Sequence, residues 1–159
     1  MLLFVCMSTA SAAALVSVKW LARRLIWPEI IAYWSFVSSF EQLSFIIVSF
    51  NMKAVHFNTA RLGFWTLRQS GVLLIPILIV WFLALAADRA VGRAIKVLAA
   101  AAVLALMLLL DYLYCLTGLL TFVNWTFYDS ALLFAGLIGI SGCFMALYRV
   151  IMRRGGIRG

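Results

Sequence analysis

Long apolar stretches alternate with short polar breaks along this chain, and the stretches are long enough to cross a bilayer as helices. Residues 1–18 carry no charge and end at Lys19. A hydrocarbon core needs about 20 apolar residues of helix. No basic region precedes this run, so it reads as an uncleaved first helix over about 1–22 rather than a signal peptide. Residues 71–87 (GVLLIPILIVWFLALAA) predict a second span, about 71–88. Pro76 lies inside it, which a membrane helix tolerates because its neighbours can satisfy the freed backbone groups. Residues 97–110 run directly into Asp111 and predict a span over about 97–112. The last span covers about 130–149, and its Gly136, Gly139, Ser141 and Gly142 are small enough for close helix contact.

The stretch from 25 to 68 is ambiguous. Residues 30–52 are apolar and aromatic, broken only by Glu41 among Ser and Gln. They suit either a further span or an amphipathic segment lying at the interface. The expected fold is therefore all-α: four transmembrane helices with an extracytoplasmic segment, about 25–68, between helices 1 and 2. The alternative is five transmembrane helices. Basic residues concentrate on the inner side of membrane proteins, and this bears on the choice. With five spans only Lys53, Arg61 and Arg68 of the 13 Lys and Arg lie outside; with four, the split is nearly even.

Composition sets the class. Of the 159 residues 67% are hydrophobic and 11% charged, against roughly 45–50% and about 25% in a soluble domain. This excludes a water-soluble enzyme, a disordered chain and a disulfide-stapled domain. The net charge of +8 is scattered around apolar spans and forms no basic face, so no nucleic-acid partner is expected. Cys6, Cys115 and Cys143 sit in apolar runs without a CxxC pair and read as small buried residues. His56 stands alone, which excludes a bis-His haem site within the chain. No metal or cofactor is expected.

Only five acids occur: Glu29, Glu41, Asp88, Asp111 and Asp129. Each needs a reason in so apolar a chain, because carboxylates in lipid are costly. Glu29 follows Pro28 and suits a helix N-terminus. Asp88 opens the polar 88–96 loop as a solvated charge. Glu41 is a functional candidate inside a span but simply the wet face of an interfacial segment, and the wet face is the reading taken. Asp111 closes the third span and Asp129 opens the last. Antiparallel helices joined by residues 112–128 would bring both carboxylates to one membrane face. A shared pair can hold one proton and act as acid and base on water and a carbonyl. Two ordinary helix-end residues would have the same spacing.

Beyond this pairing, Leu109-Leu110-Asp111-Tyr112 and Trp125-Thr126-Phe127-Tyr128-Asp129-Ser130-Ala131-Leu132 resemble the two aspartate segments of the lipoprotein signal peptidases (signal peptidase II). Phe50 to Phe64, with Asn58, is similar to the family's motif between helices one and two, and Lys19-Trp20-Leu21 to the end of its first helix. Leu15 stands where the family has an aspartate and Thr126 where it has an asparagine. The resemblance implies an aspartic endopeptidase of the bacterial cytoplasmic membrane, with Asp111 and Asp129 catalytic and no metal or cofactor. It implies a diacylglyceryl-modified prolipoprotein as substrate, reached from surrounding membrane lipids, with Asn58 binding the substrate backbone. The 25–68 segment would be the extracytoplasmic cradle and lid. A non-catalytic small subunit of a larger membrane complex or transporter is the alternative.

Overall fold

A computed structural model describes residues 2–57, 61–88 and 90–154 of the chain. It is largely helical, with one small antiparallel ribbon. Helix α1 spans Leu2–Leu21, and α2 spans Trp27–Ile46 and continues through a π turn, Ile47–Asn51. Strand β1 is Val55–Phe57. A single long helix follows, made of α3 (Arg61–Gln69), a second π turn (Ser70–Leu74) and α4 (Ile75–Ala87). Helix α5 is Arg93–Leu116, β2 is Leu120–Phe122 and α6 is Phe127–Arg154.

Five of these helical stretches are long and apolar enough to cross a membrane: Phe4–Leu21, Trp27–Asn51, Gly63–Ala87, Arg93–Leu116 and Phe127–Arg154. The segment expected to form an extracytoplasmic cradle over about 25–68 is thus mostly helix. Pro28 at the start of α2 supplies a preset φ, and Glu29 a negative charge in the first turn. Apolar residues then continue around every side of α2, which suits a helix surrounded by lipid and other helices. The helix expected over 71–88 begins ten residues earlier. Asp111 is not the end of its helix, because α5 runs five residues beyond it.

The 63–87 helix is central. Half of its most apolar window is buried, against 11–22% for the other four, and α4 packs on α1, α2, α5 and α6. Large apolar side chains such as Val16, Leu43, Leu98, Leu109, Leu132 and Leu147 point outward, as a lipid-facing surface requires. Cys6 and Cys143 are also exposed on that surface, not buried as their surroundings in sequence implied; all three cysteines are free. A Cβ added at Gly136, Gly139 or Gly142 would meet nothing within 4 Å, so the close contact expected there is not made within the chain.

Pro76 shapes the central helix. A proline lacks the amide that would bond the carbonyl four residues back, which here is that of Val72. The Trp34 indole donates to this carbonyl at 2.9 Å and ties α2 to the long helix. The π turn at Ser70–Leu74 precedes the proline and widens the backbone at the same place. Polar contacts join other pairs. Trp81 Nε1 donates to Ser17 Oγ at 2.9 Å between α4 and α1. Ser8 Oγ donates to Gln69 Oε1 at 3.2 Å between α1 and α3.

The two ends of the bundle differ. At one end the 22–26 loop meets the 88–92 loop through an Arg24–Asp88 ion pair at 3.3 Å. Lys96 Nζ donates to the Ala86 carbonyl at 2.8 Å and closes the end of α4. At the other end β1 pairs with β2, His56 facing Thr121. Gly118, at φ 66°, turns the chain out of α5. The amides of Gly118 and Leu119 donate to the carbonyls of Cys115 and Tyr114, a Schellman end that delivers the chain to β2.

Candidate functional site

A cavity of about 100 Å³ lies beneath the ribbon, between α2, the long helix, α5 and α6. Its polar wall holds Glu41, Ser70, Asp111, Tyr114 and Ser130, with Ser44 and Ser49 beside them; Val55, Leu67, Leu120 and Phe134 supply apolar wall. Two of the five acids therefore face one small space inside the bundle.

Glu41 reaches this position because of Gly71. A Cβ built on Gly71 would stand 2.5 Å from Glu41 Oε2 and 2.7 Å from Oε1. No side chain fits there, so the carboxylate lies directly on the second π turn. Gln42 Nε2 donates to Oε2 at 2.7 Å. The Arg68 guanidinium acts on Glu41 electrostatically and is held 5.4 Å from the Phe45 ring centroid and 5.7 Å from that of Phe64. This gives the carboxylate a nearby cation whose position is fixed by aromatic faces.

Asp111 enters from α5. Ser130 shares the cavity wall with it, and Ser130 is itself fixed by the Trp125 indole, which donates to its Oγ at 2.9 Å. Glu41 and Asp111 interact electrostatically across the cavity. Tyr114, one turn beyond Asp111, is buried, its hydroxyl donating to Met7 Sδ at 3.9 Å, while Ser70 Oγ donates to the Leu67 carbonyl at 2.8 Å. Both π turns contribute to the wall, through Ser49 and Ser70. Such turns redirect side chains and open backbone groups, and they recur at functional sites.

Asp129 is placed differently. It is the third residue of α6, and its Oδ2 accepts from the Thr126 amide at 2.8 Å and from Thr126 Oγ1 at 2.7 Å. Its own amide faces Thr126 Oγ1 at 3.3 Å. This is a reciprocal capping box, with an aspartate in the usual glutamate position. Asp129 does not line the cavity, whereas its neighbour Ser130 does. Asn58 lies outside the described residues.

Glu41, expected on a wet face, instead turns inward and lines the cavity. Glu29, expected only to meet a helix start, also has an ion-pair partner on α6. Arg149 Nε donates to its Oε1 at 2.8 Å and Tyr33 Oη at 3.2 Å, bolting α2 to α6 at the arginine-rich end. Tyr33 is fully buried against Phe144 and Tyr148. Asp88 is not merely solvated, since it holds Arg24. Among the described residues, no three of His, Cys, Asp and Glu converge as metal ligands would. Comparison with protein-family models, with curated proteins and with solved structures finds no match to this chain. The class to which it belongs is thus that of integral membrane proteins with several apolar helices.

Proposed function

We propose that this chain is an aspartic-type endopeptidase of a bacterial cytoplasmic membrane, similar in class to lipoprotein signal peptidase, acting on lipid-modified prolipoproteins. One observation carries the reading: Asp111, the aspartate picked out by the resemblance, faces a second carboxylate within a single cavity. That partner is Glu41, while Asp129 is engaged at its helix end. In this reading all five helices cross the membrane, and the ribbon end is the outer one, where only Lys53, Arg61 and Arg68 fall. One carboxylate of the pair takes a proton from water. The resulting hydroxyl adds to the scissile carbonyl while the other carboxylate donates its proton, and collapse returns a proton to the leaving amine. Ser130 and Arg68 position the two acids.

The test is processing of a prolipoprotein in cells depleted of their own lipoprotein signal peptidase. The unaltered chain is expected to restore processing. Asp111→Asn and Glu41→Gln are expected to lower it by about 100-fold or more, the scale of lost acid–base catalysis, while Asp129→Asn keeps most of it. An inserted, unaltered chain that processes nothing rejects the peptidase reading.

A second reading is a non-catalytic subunit of a membrane complex or transporter. The cavity's volume of about 100 Å³ favours it, because this space suits waters or a small cation better than a peptide. Acids facing each other inside a bundle are also the usual element of proton and ion pathways. In vesicles with an entrapped pH dye, this reading expects proton or sodium flux that Glu41→Gln and Asp111→Asn abolish.

A further inference from the structure

The arginine-rich end of the bundle carries a second concavity, unrelated to the acid pair. It is a cleft of about 420 Å³ between the 22–26 loop and the last turns of α6, with Arg23, Arg24, Arg149 and Arg153 around it. Glu29 is the one acid in its wall, and it is engaged by Arg149. Arg24 is held by Asp88. Among the described residues no ion pair takes up Arg23 or Arg153, and both are exposed. The start of α2 also faces this loop. Its N-cap is Ile26, which offers no side-chain cap, and Glu29 in the first turn meets part of the positive end of the helix. The cleft therefore carries net positive charge, with Arg23 in no ion pair among the described residues and Arg153 shared with the negative end of α6. The negative end of α6 lies on its far side and is offset by Arg153 and Arg154.

We propose that this cleft holds the phosphate of an anionic phospholipid. Its place along the bundle argues for a lipid. Lys19, Trp20 and Trp27 flank the loop, with both indoles exposed, and Trp and Lys in this arrangement mark the level of the headgroups. On the other side of the same loop an apolar groove of about 330 Å³ runs between α1, α2 and α4, lined by Val18, Leu21, Ile31, Trp34 and Val80. That shape suits an acyl chain. A basic pocket between membrane helices at this level matches a lipid headgroup in charge and position.

The full chain, purified in detergent, is mixed with phosphatidylglycerol or phosphatidylcholine, and bound lipid is counted by native mass spectrometry. Phosphatidylglycerol is expected to be retained over phosphatidylcholine. The double variant Arg23→Gln, Arg153→Gln is expected to lose about thirtyfold of that preference, the order for two surface arginines beside a phosphate. Arg23→Lys with Arg153→Lys keeps most of it, and Lys53→Gln, at the ribbon end, keeps all of it. These variants lie on exposed side chains, and a monodisperse elution profile checks each fold. Equal retention of the two lipids overturns the proposal. So does an unchanged preference in the folded glutamine variant. A third arm adds inorganic phosphate at millimolar concentration: displacement of the lipid by free phosphate identifies a soluble-anion site and also overturns it.

Discussion

At Gly71 the space for a methyl group is taken by the end of the Glu41 side chain, so a Cβ there would have to push the carboxylate aside. Gly71→Ala is expected to cost about 1–3 kcal/mol, the range for overpacking a fitted contact, and thermal unfolding in detergent reads it. The same change made together with Glu41→Ala should cost much less, and equal losses in both backgrounds would remove the contact from the account. Glu29 and Arg149 allow a similar cycle. Arg149→Ala removes the one ion-pair partner that a nearly buried carboxylate has among the described residues and leaves Tyr33 as its hydrogen-bond partner there, so a loss of about 2–4 kcal/mol is expected. Glu29→Gln in the same chain should recover part of that. Asp129→Ala removes one half of a capping box at a partly exposed helix end and is expected to cost only about 1 kcal/mol. Asp111 was legible as a candidate because it interrupts an apolar run, and it does line the cavity. Glu41 was not. Apolar residues surround α2 on every side, so its sequence does not say which way an acid on it faces.

Along the central helix, one proline sets the geometry of the element. The span was legible from its apolar run, but the run alone does not reveal that the helix starts at 61 and passes through a π turn. The local cause is visible only once Trp34 is seen to donate to the Val72 carbonyl that Pro76 leaves open. Pro76→Ala restores an amide able to bond that carbonyl within the helix. The regular helix it favours would narrow the backbone at Ser70–Leu74 and shift Ser70 and Gly71 at the cavity wall. Whichever reaction or flux the cavity supports, Pro76→Ala is therefore expected to weaken it while the chain remains folded. The check is that measured activity falls whereas helical content by circular dichroism is unchanged. Trp34→Phe, which leaves the proline in place, should produce a smaller loss. Equal activity in the Pro76→Ala chain would show that the π turn is not needed there. The ribbon was likewise hidden from sequence reading: β1 and β2 have three residues each, too few for a period to register.

For the molecule as a whole, the choice between four and five crossings turns on where charges fall. Basic residues are easier to place than segment boundaries, because inner and outer loops have opposite rules for them. That count pointed to five crossings, whereas the likeness to a four-helix family pointed to four. The Arg24–Asp88 pair puts the 22–26 and 88–92 loops at one end of the bundle, and the β1–β2 pair puts residues 55–57 and 120–122 together at the other. Two helices long and apolar enough to cross a membrane, 27–51 and 63–87, lie between residues 24 and 88, which this arrangement places at the same end. If 25–68 lay outside as a cradle, residues 24 and 88 would be on opposite faces. Single cysteines decide the matter in a chain whose Cys6, Cys115 and Cys143 are replaced by Ser. Arg24→Cys and Gly92→Cys are expected to react with a membrane-impermeant maleimide only after the inner side is opened. Lys53→Cys and Asn124→Cys should react in intact cells. Labelling of Arg24→Cys from outside would restore the four-helix arrangement and separate Glu41 from Asp111, since α2 would then no longer stand within the membrane beside α5.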